Sequence, residues 1–292
     1  MRYPSRGYAA FTAFNYLFLG LLAVLCMLPI VHMFALSFSS RAAATANIVN
    51  FWPVQWTPEA YTTTLGNSSF LRALWLAVAR TASGTALSMA VIVMAAFSLS
   101  RSAERFPGRT VYTWFFVFTM LFNGGLVPTY FLVNKLGLMD SLWALILPTA
   151  VNVWNLILML NFFRTLPPEL EDAAMIDGAG QFGVLWRILL PISMPAVATL
   201  SLFAMVFHWN SWFDGVIYMS HREDYPLASF LHAMVVSENL TQIGVSAQDV
   251  ANISNRTVKA AQLFIGSLPI LLIYPFLQKY FVKGIVLGSV KE

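Results

Sequence analysis

The densest polar chemistry in this chain lies between positions 166 and 195, which read LPPELEDAAMIDGAGQFGVLWRILLPISMP, in a sequence of which only 10% of residues are charged. Glu169, Glu171, Asp172, Asp177 and Arg187 gather there between two long apolar runs, so something other than lipid must receive them. Pro167 and Pro168 stop the preceding helix and suit the first turn of a new one. The acidic residues that follow fall where the helix dipole favours negative charge. The spacing predicts a short helix over about 168–177. Gly178 and Gly180 then let the chain turn before a second amphipathic stretch, 182–190, that ends at Pro191.

A second set of polar residues lies inside apolar runs, where each costs free energy unless it faces a cavity or finds a partner. Asn152 and Asn155 are one helical turn apart and share a face. In the segment HWNSWFD, Asn210 and Asp214 stand at i, i+4, as do His208 and Trp212. An amide face and an indole face beside a carboxylate suit a sugar, whose hydroxyls take hydrogen bonds while its C–H surface lies on an aromatic ring. Asn152, Asn155, Trp209, Asn210, Trp212 and Asp214 are therefore the candidate substrate-lining residues. Asparagines also serve to join helices, at about 0.6 kcal/mol per polar contact, and Trp209 and Trp212 also suit interfacial anchoring. Arg80, a turn or two inside its run, is open to three readings: snorkelling, pairing with a neighbouring helix, or contact with an anionic substrate.

Other chemistry is not encoded. No GxxxxGKS/T phosphate loop occurs, so ATP binding is not expected of this chain and energy must come from a partner. There is no HExxH, no paired Cys/His pattern and no nucleophile elbow, and His32, His208, His221 and His232 are scattered, so neither catalytic residues, nor a metal, nor a cofactor is expected. The single cysteine, Cys26, sits in the first apolar run and excludes a disulfide framework.

These side chains must be positioned by helices. A hydrophobic fraction of 58% over 292 residues, and six apolar runs each long enough for a ~30 Å hydrocarbon core, make this an all-α membrane protein with six transmembrane helices. The runs are 14–36, 74–99, 111–133, 142–163, 196–219 and 260–281. The first is too long for a signal-peptide core and is read as an uncleaved span. At 292 residues, with a mean hydropathy of +0.69, one membrane domain is expected with no room for a separate soluble catalytic domain, and the pI near 9.3 reflects basic residues flanking spans rather than nucleic-acid binding. Arg2, Arg6, Arg101, Arg105, Arg109, Arg164, Arg187, Lys279, Lys283 and Lys291 fall on one side. Arg41, Arg72, Arg80, Lys135, Arg222, Arg256 and Lys259 fall on the other or within the membrane. The bias places both termini in the cytoplasm, with the protein multi-pass in its membrane. The expected organisation is a cytoplasmic N-terminus over 1–13, a six-span domain over 14–282, and a cytoplasmic tail over 283–292. Within the domain lie an inner loop, 164–195, and an outer loop, 220–259, whose length suits either contact with a soluble delivery protein or a folded cap. The FWPVQWTPEAY stretch of 51–61 reads as a chain lying along the interface.

Asp172-Ala-Ala, three residues, Gly178, nine residues and Ile188-Leu189-Leu190-Pro191 resemble the EAA signature of ABC-importer permeases, with Asp172 where that signature usually has Glu. Asn123-Gly-Gly-Leu-Val-Pro-Thr-Tyr, Trp143-Ala-Leu-Ile-Leu-Pro, His208-Trp-Asn-Ser-Trp-Phe-Asp and Tyr274-Pro-Phe-Leu-Gln-Lys-Tyr-Phe-Val-Lys-Gly resemble the carbohydrate-uptake branch, including the second permease of alginate and polysaccharide importers. The resemblance covers nearly the whole chain. It implies a MetI-like, type I importer fold with a cytoplasmic coupling helix, in which Glu169, Glu171, Asp172, Ala173, Ala174, Asp177 and Gly178 meet the ATPase. It also implies the partners: a second homologous permease, an ABC ATPase dimer, an extracytoplasmic solute-binding protein and an oligo- or polysaccharide, alginate among them. A permease for a non-sugar solute shares the signature. An ion-coupled secondary transporter is a more distant alternative, since it leads one to expect inverted repeats and ionisable midplane groups that are scarce here. A membrane enzyme of polysaccharide assembly would need an acidic metal or nucleotide motif.

Overall fold

The computed structural model describes residues 6–241 and 256–289, and every regular element among them is helical. The chain-end positions Arg2 and Lys291, and Asp249 in the outer loop, lie outside the described residues. In order, the helices are α1 (Arg6–Ser37), α2 (Arg41–Thr45), α3 (Glu59–Leu65), α4 (Ser68–Ser100), α5 (Arg109–Leu121), α6 (Leu126–Lys135), α7 (Leu142–Thr149), α8 (Val153–Thr165), α9 (Glu169–Ile176), α10 (Gln181–Ile192), α11 (Met194–Asn210), α12 (Phe213–Tyr218), α13 (Leu227–Thr241) and α14 (Arg256–Ser289).

The expected spans divide into two kinds. α1, α4 and the first part of α14 are long and apolar enough to cross a membrane as single helices. The third and fourth runs are bent pairs, α5 and α6 meeting at 115° and α7 and α8 at 52°; the expected fifth run, 196–219, is not one helix either, since its first part, α11, meets α10 of the inner loop at 83°, and with that pair counted there are up to six spans. Each break has a local cause. Gly125 between α5 and α6 takes φ +90°, a conformation that side-chain-bearing residues avoid. Between α7 and α8, Asn152 is extended and caps the new helix through its side chain. Before α11, Ser193 stands between Pro191 and Pro195, each of which lacks an N–H and so removes one rung of the helical ladder. The second amphipathic stretch of the inner loop therefore does not stop at Pro191 but runs on to Ile192. It passes through a π-helical turn at Val184–Leu189, a register that helices adopt at irregular points.

The chain divides into two compact units, one comprising residues 1–71 and 233–268, the other 72–232 and 269–292. In the first, the ring of Phe34 on α1 lies 5.3 Å from that of Phe264 on α14, and Tyr61 on α3 hydrogen bonds Ser37 at 2.8 Å. None of the hydrophobic core window of α1 is buried, as befits a helix whose solvent is lipid or a neighbouring subunit. In the second unit, Met89, Ile92, Ala96 and Phe97 of α4 pack with Met159 and Phe163 of α8, Ala174 of α9, Val184 and Leu185 of α10 and Leu200 of α11. This cluster ties the inner loop directly to the transmembrane helices.

Candidate functional site

The inner loop forms as its residues dictate. α8 ends at Thr165 because Leu166 precedes a proline and is driven to an extended backbone, ψ 139°. Pro168 then caps α9, with Glu169, Glu171 and Asp172 in the first turn. Asp177 closes the helix and Gly178 follows at φ +83°, with open space around its Cα, while Gly180 is extended and needs no glycine. α9 has two faces. Glu171 and Ala174 are buried; Glu169, Asp172, Ala173, Asp177 and Ile176 point outward, Ile176 being 86% exposed.

The buried face is held by charge more than by apolar contact. Arg101, just past the end of α4, pairs through Nη1 with Glu171 Oε2. Arg105 Nη1 lies 3.0 Å from Glu171 Oε1, and its Nη2 donates to Asp172 Oδ1 at 2.8 Å. The Arg101 guanidinium also sits over the ring of Phe97, 3.8 Å from its centroid. Burial, with the charge of Arg105 alongside, pushes Arg101 down to about 10, which leaves it a cation at neutral pH. A cleft of about 400 Å³ opens between these groups, Arg164 and the Pro167-Pro168 turn. In the sequence Arg101 and Arg105 are legible only as topology charges; their spacing of four residues is the one hint of a joint role.

The second polar site is inside the transmembrane helices. Arg80 of α4 is 0% exposed and pairs with Asp214 through its two terminal guanidinium nitrogens, Nη1 at 3.1 Å from Oδ1 and Nη2 on Oδ2. Pairing with a neighbouring helix is thus what Arg80 does. The pair has a further purpose. α11 ends at Asn210, and the break before α12 frees carbonyls that lipid cannot satisfy. Arg80 Nη1 donates to Ser211 O at 2.9 Å and Nη2 to Leu145 O at 3.3 Å, while Ser229 Oγ donates to Trp212 O at 2.6 Å. Gly84, one turn along α4, is packed so closely on His208 that an added methyl would sit 2.7 Å from Nε2.

That break corrects the expected geometry of the substrate-lining set. HWNSWFD is not one helix, so Asn210 and Asp214 do not share a helical face, nor do His208 and Trp212; the unpaired carbonyl of Ser211 finds a better partner in Arg80 than a continued helix would give. The expected continuous face of Asn152 and Asn155 is likewise absent. Asn152 is exposed and accepts from Asn155 N at 3.1 Å as a cap, and Asn155 is buried in the first turn of α8. Trp209 lines an apolar groove of about 510 Å³ with Thr81 and Thr85 of α4 and Pro269 and Ile273 of α14. Asn210 is exposed and its amide donates to Val206 O at 3.0 Å. The ring of Trp212 stacks on His232 at 3.6 Å, and the carboxylate of Asp214 is committed to Arg80.

Among the described residues no group of three or more His, Cys, Asp or Glu is placed to hold a metal. Broken apolar helices around a neutralised buried charge pair, with a short amphipathic helix held out beyond them, define a helical membrane permease. The chain belongs to the family of binding-protein-dependent transport system inner membrane components, whose match spans residues 88–213, from α4 through the inner loop to the α11 break. It is 38% identical over 277 residues to the polygalacturonan/rhamnogalacturonan transport system permease protein YtcP of Bacillus subtilis (strain 168), covering 94% of this chain and 96% of that one. It is 30% identical over 289 residues to the maltodextrin transport system permease protein MdxG of the same organism, covering 95% of each. Among solved structures it is similar to a chain of a bacterial ABC transporter involved in the import of the acidic polysaccharide alginate, with a TM-score of 0.85 and 30% identity over 96% of this chain and 100% of that one.

Proposed function

We propose that this chain is one permease of a type I ABC importer for an oligo- or polysaccharide rich in uronic acids, working beside a second homologous permease, an ATPase dimer and an extracytoplasmic solute-binding protein. The observation that carries the reading is α9: a short helix, set apart by two prolines and a left-handed glycine, that presents Glu169, Asp172, Ala173 and Asp177 outward. Small and acidic residues on one exposed face suit insertion into a groove of a partner, and the charge bias puts that face, with both termini, in the cytoplasm where ATP is. Glu169, Glu171, Asp172, Ala173, Ala174, Asp177 and Gly178 form the coupling element. Hydrolysis belongs to the partner, and this subunit converts closure of the ATPase into movement of its helices. Likeness to the polygalacturonan/rhamnogalacturonan permease and to the alginate transporter chain supports an acidic polysaccharide as cargo.

The substrate path in this chain's half draws on Asn152, Asn155, Trp209, Asn210, Trp212 and Asp214. Asp214 contributes by holding the α11 break open rather than by meeting sugar, because its carboxylate already faces Arg80. The test is purification of the complex in nanodiscs with its second permease, ATPase and binding protein, and measurement of ATP hydrolysis with uronate oligomers, neutral maltodextrins and amino acids. Stimulation by uronate oligomers supports the assignment. Stimulation by a non-sugar solute, or transport driven by an ion gradient without an ATPase, overturns it.

A further inference from the structure

Glu171 belongs to the coupling helix by sequence, yet it faces away from any partner that docks on the outer face of α9. Its side chain is 8% exposed and is held by Arg101 and Arg105, which lie on the segment that follows α4. Resting on the docking reading above, we infer that Arg101, with Arg105 beside it, is a positioning residue of the coupling machinery: its ion pair with Glu171 fixes α9 to the end of α4, so that displacement of α9 moves α4.

Three features carry this. First, α9 has little apolar grip of its own, since Ala174 is its one buried apolar residue and a methyl anchors weakly. Second, the ions are restrained on the α4 side. Arg101 is 11% exposed, lies on the Phe97 ring, and its carbonyl accepts from Arg109 Nη1. A guanidinium packed in this way cannot swing to follow a loose loop. Third, α4 runs through 33 residues without a proline, whereas three other expected spans are broken. A continuous helix carries a push that a broken one absorbs. Further back along that helix Arg80 grips the α11 break, so a load applied to α9 has a polar joint to act on.

The experiment uses the full transporter, with substrate-loaded binding protein, in nanodiscs. Ile176→Cys on the exposed face of α9 reports docking by cross-linking to the ATPase, and glycan imported per ATP hydrolysed reports coupling. In that background Arg101→Met keeps the cross-link but lowers import per ATP by about tenfold, within the span that one link in a coupling network contributes. The double variant Arg101→Met, Glu171→Met removes both buried charges, refills the space, and recovers coupling to within roughly threefold, because a well-packed apolar pair replaces a buried ion pair at little cost. Unchanged coupling in Arg101→Met overturns the proposal, as does loss of the cross-link in step with import, or a double variant no better than the single one. Absence of the cross-link in the Ile176→Cys parent overturns the docking reading itself, a separate outcome.

Discussion

The buried pair of Arg80 and Asp214 makes a prediction whose sign and order both follow from geometry. In Asp214→Asn, a guanidinium with 0% exposure loses its counter-charge and one of two carboxylate oxygens, keeping a neutral amide oxygen and the carbonyls of Ser211 and Leu145. Removing one partner of a buried ion pair costs about 3–5 kcal/mol, or roughly two to nearly four decades in the folded-to-unfolded ratio at about 1.4 kcal/mol per decade. In Arg80→Met the position left behind is milder. Asp214 loses two donors but is 14% exposed and retains the N–H of Gly215 at 2.9 Å and the hydroxyl of Ser211 at 3.3 Å, so its charge stays partly solvated and the cost falls to about 1–3 kcal/mol. The double variant Arg80→Met, Asp214→Leu should be more stable than Asp214→Asn, because no charge remains buried, but less stable than the parent, since Ser211 O has lost its donor. The assay is unfolding in mixed detergent and SDS micelles followed by tryptophan fluorescence, with the midpoint compared across the series. Asp214→Asn at least as stable as Arg80→Met, or a double variant no better than Asp214→Asn, would refute the argument that charge at this site is neutralised inside the chain.

At Gly178, φ is +83° and nothing lies within 4 Å of where a methyl would stand, so the cost of substitution lies in the backbone alone. That cost is about 1–2 kcal/mol for most side chains and less for asparagine and aspartate, so what separates those two variants is the added charge on the docking face. Gly178→Asp should remain in the membrane but lose uptake and substrate-stimulated ATP hydrolysis, while Gly178→Asn retains more of both; equal uptake by parent and Gly178→Asp vesicles would remove Gly178 from the coupling element. At the other face, the backbone N–H and hydroxyl of Ser220 hold Asp140 below the usual carboxylate range. A depressed carboxyl contributes its full tie above the ordinary carboxylate range and loses it as pH falls through the folded value, so limited proteolysis between 219 and 226 should accelerate in acid. Asp140→Asn should show the acid rate at neutral pH, and a cleavage rate that ignores both changes argues that the tie does not order this loop.

The apolar runs are readable in the sequence because a bilayer demands about 20 apolar residues whatever their partners. α9 is readable because its boundaries are local: two prolines at the start, acidic residues in the first turn, and a left-handed glycine at the end. The breaks are less visible. A window of hydropathy does not distinguish a continuous helix from one interrupted at Ser211, since the interruption is tolerated only because Arg80, far away in sequence, donates to the freed carbonyl. The role of Arg101 is hidden for the same reason, its partner being on another helix. The two arginines are spaced along the line of α4, about 32 Å apart at 1.5 Å per residue, one just past the end that meets α9 and one where α11 is broken. In a chain with so few charges, each of these buried cations needs a fixed carboxylate, and each carboxylate belongs to a segment that is not itself a straight span. α4, unbroken over 33 residues, is thus the element on which the polar joints of α9 and of the α11 break are set.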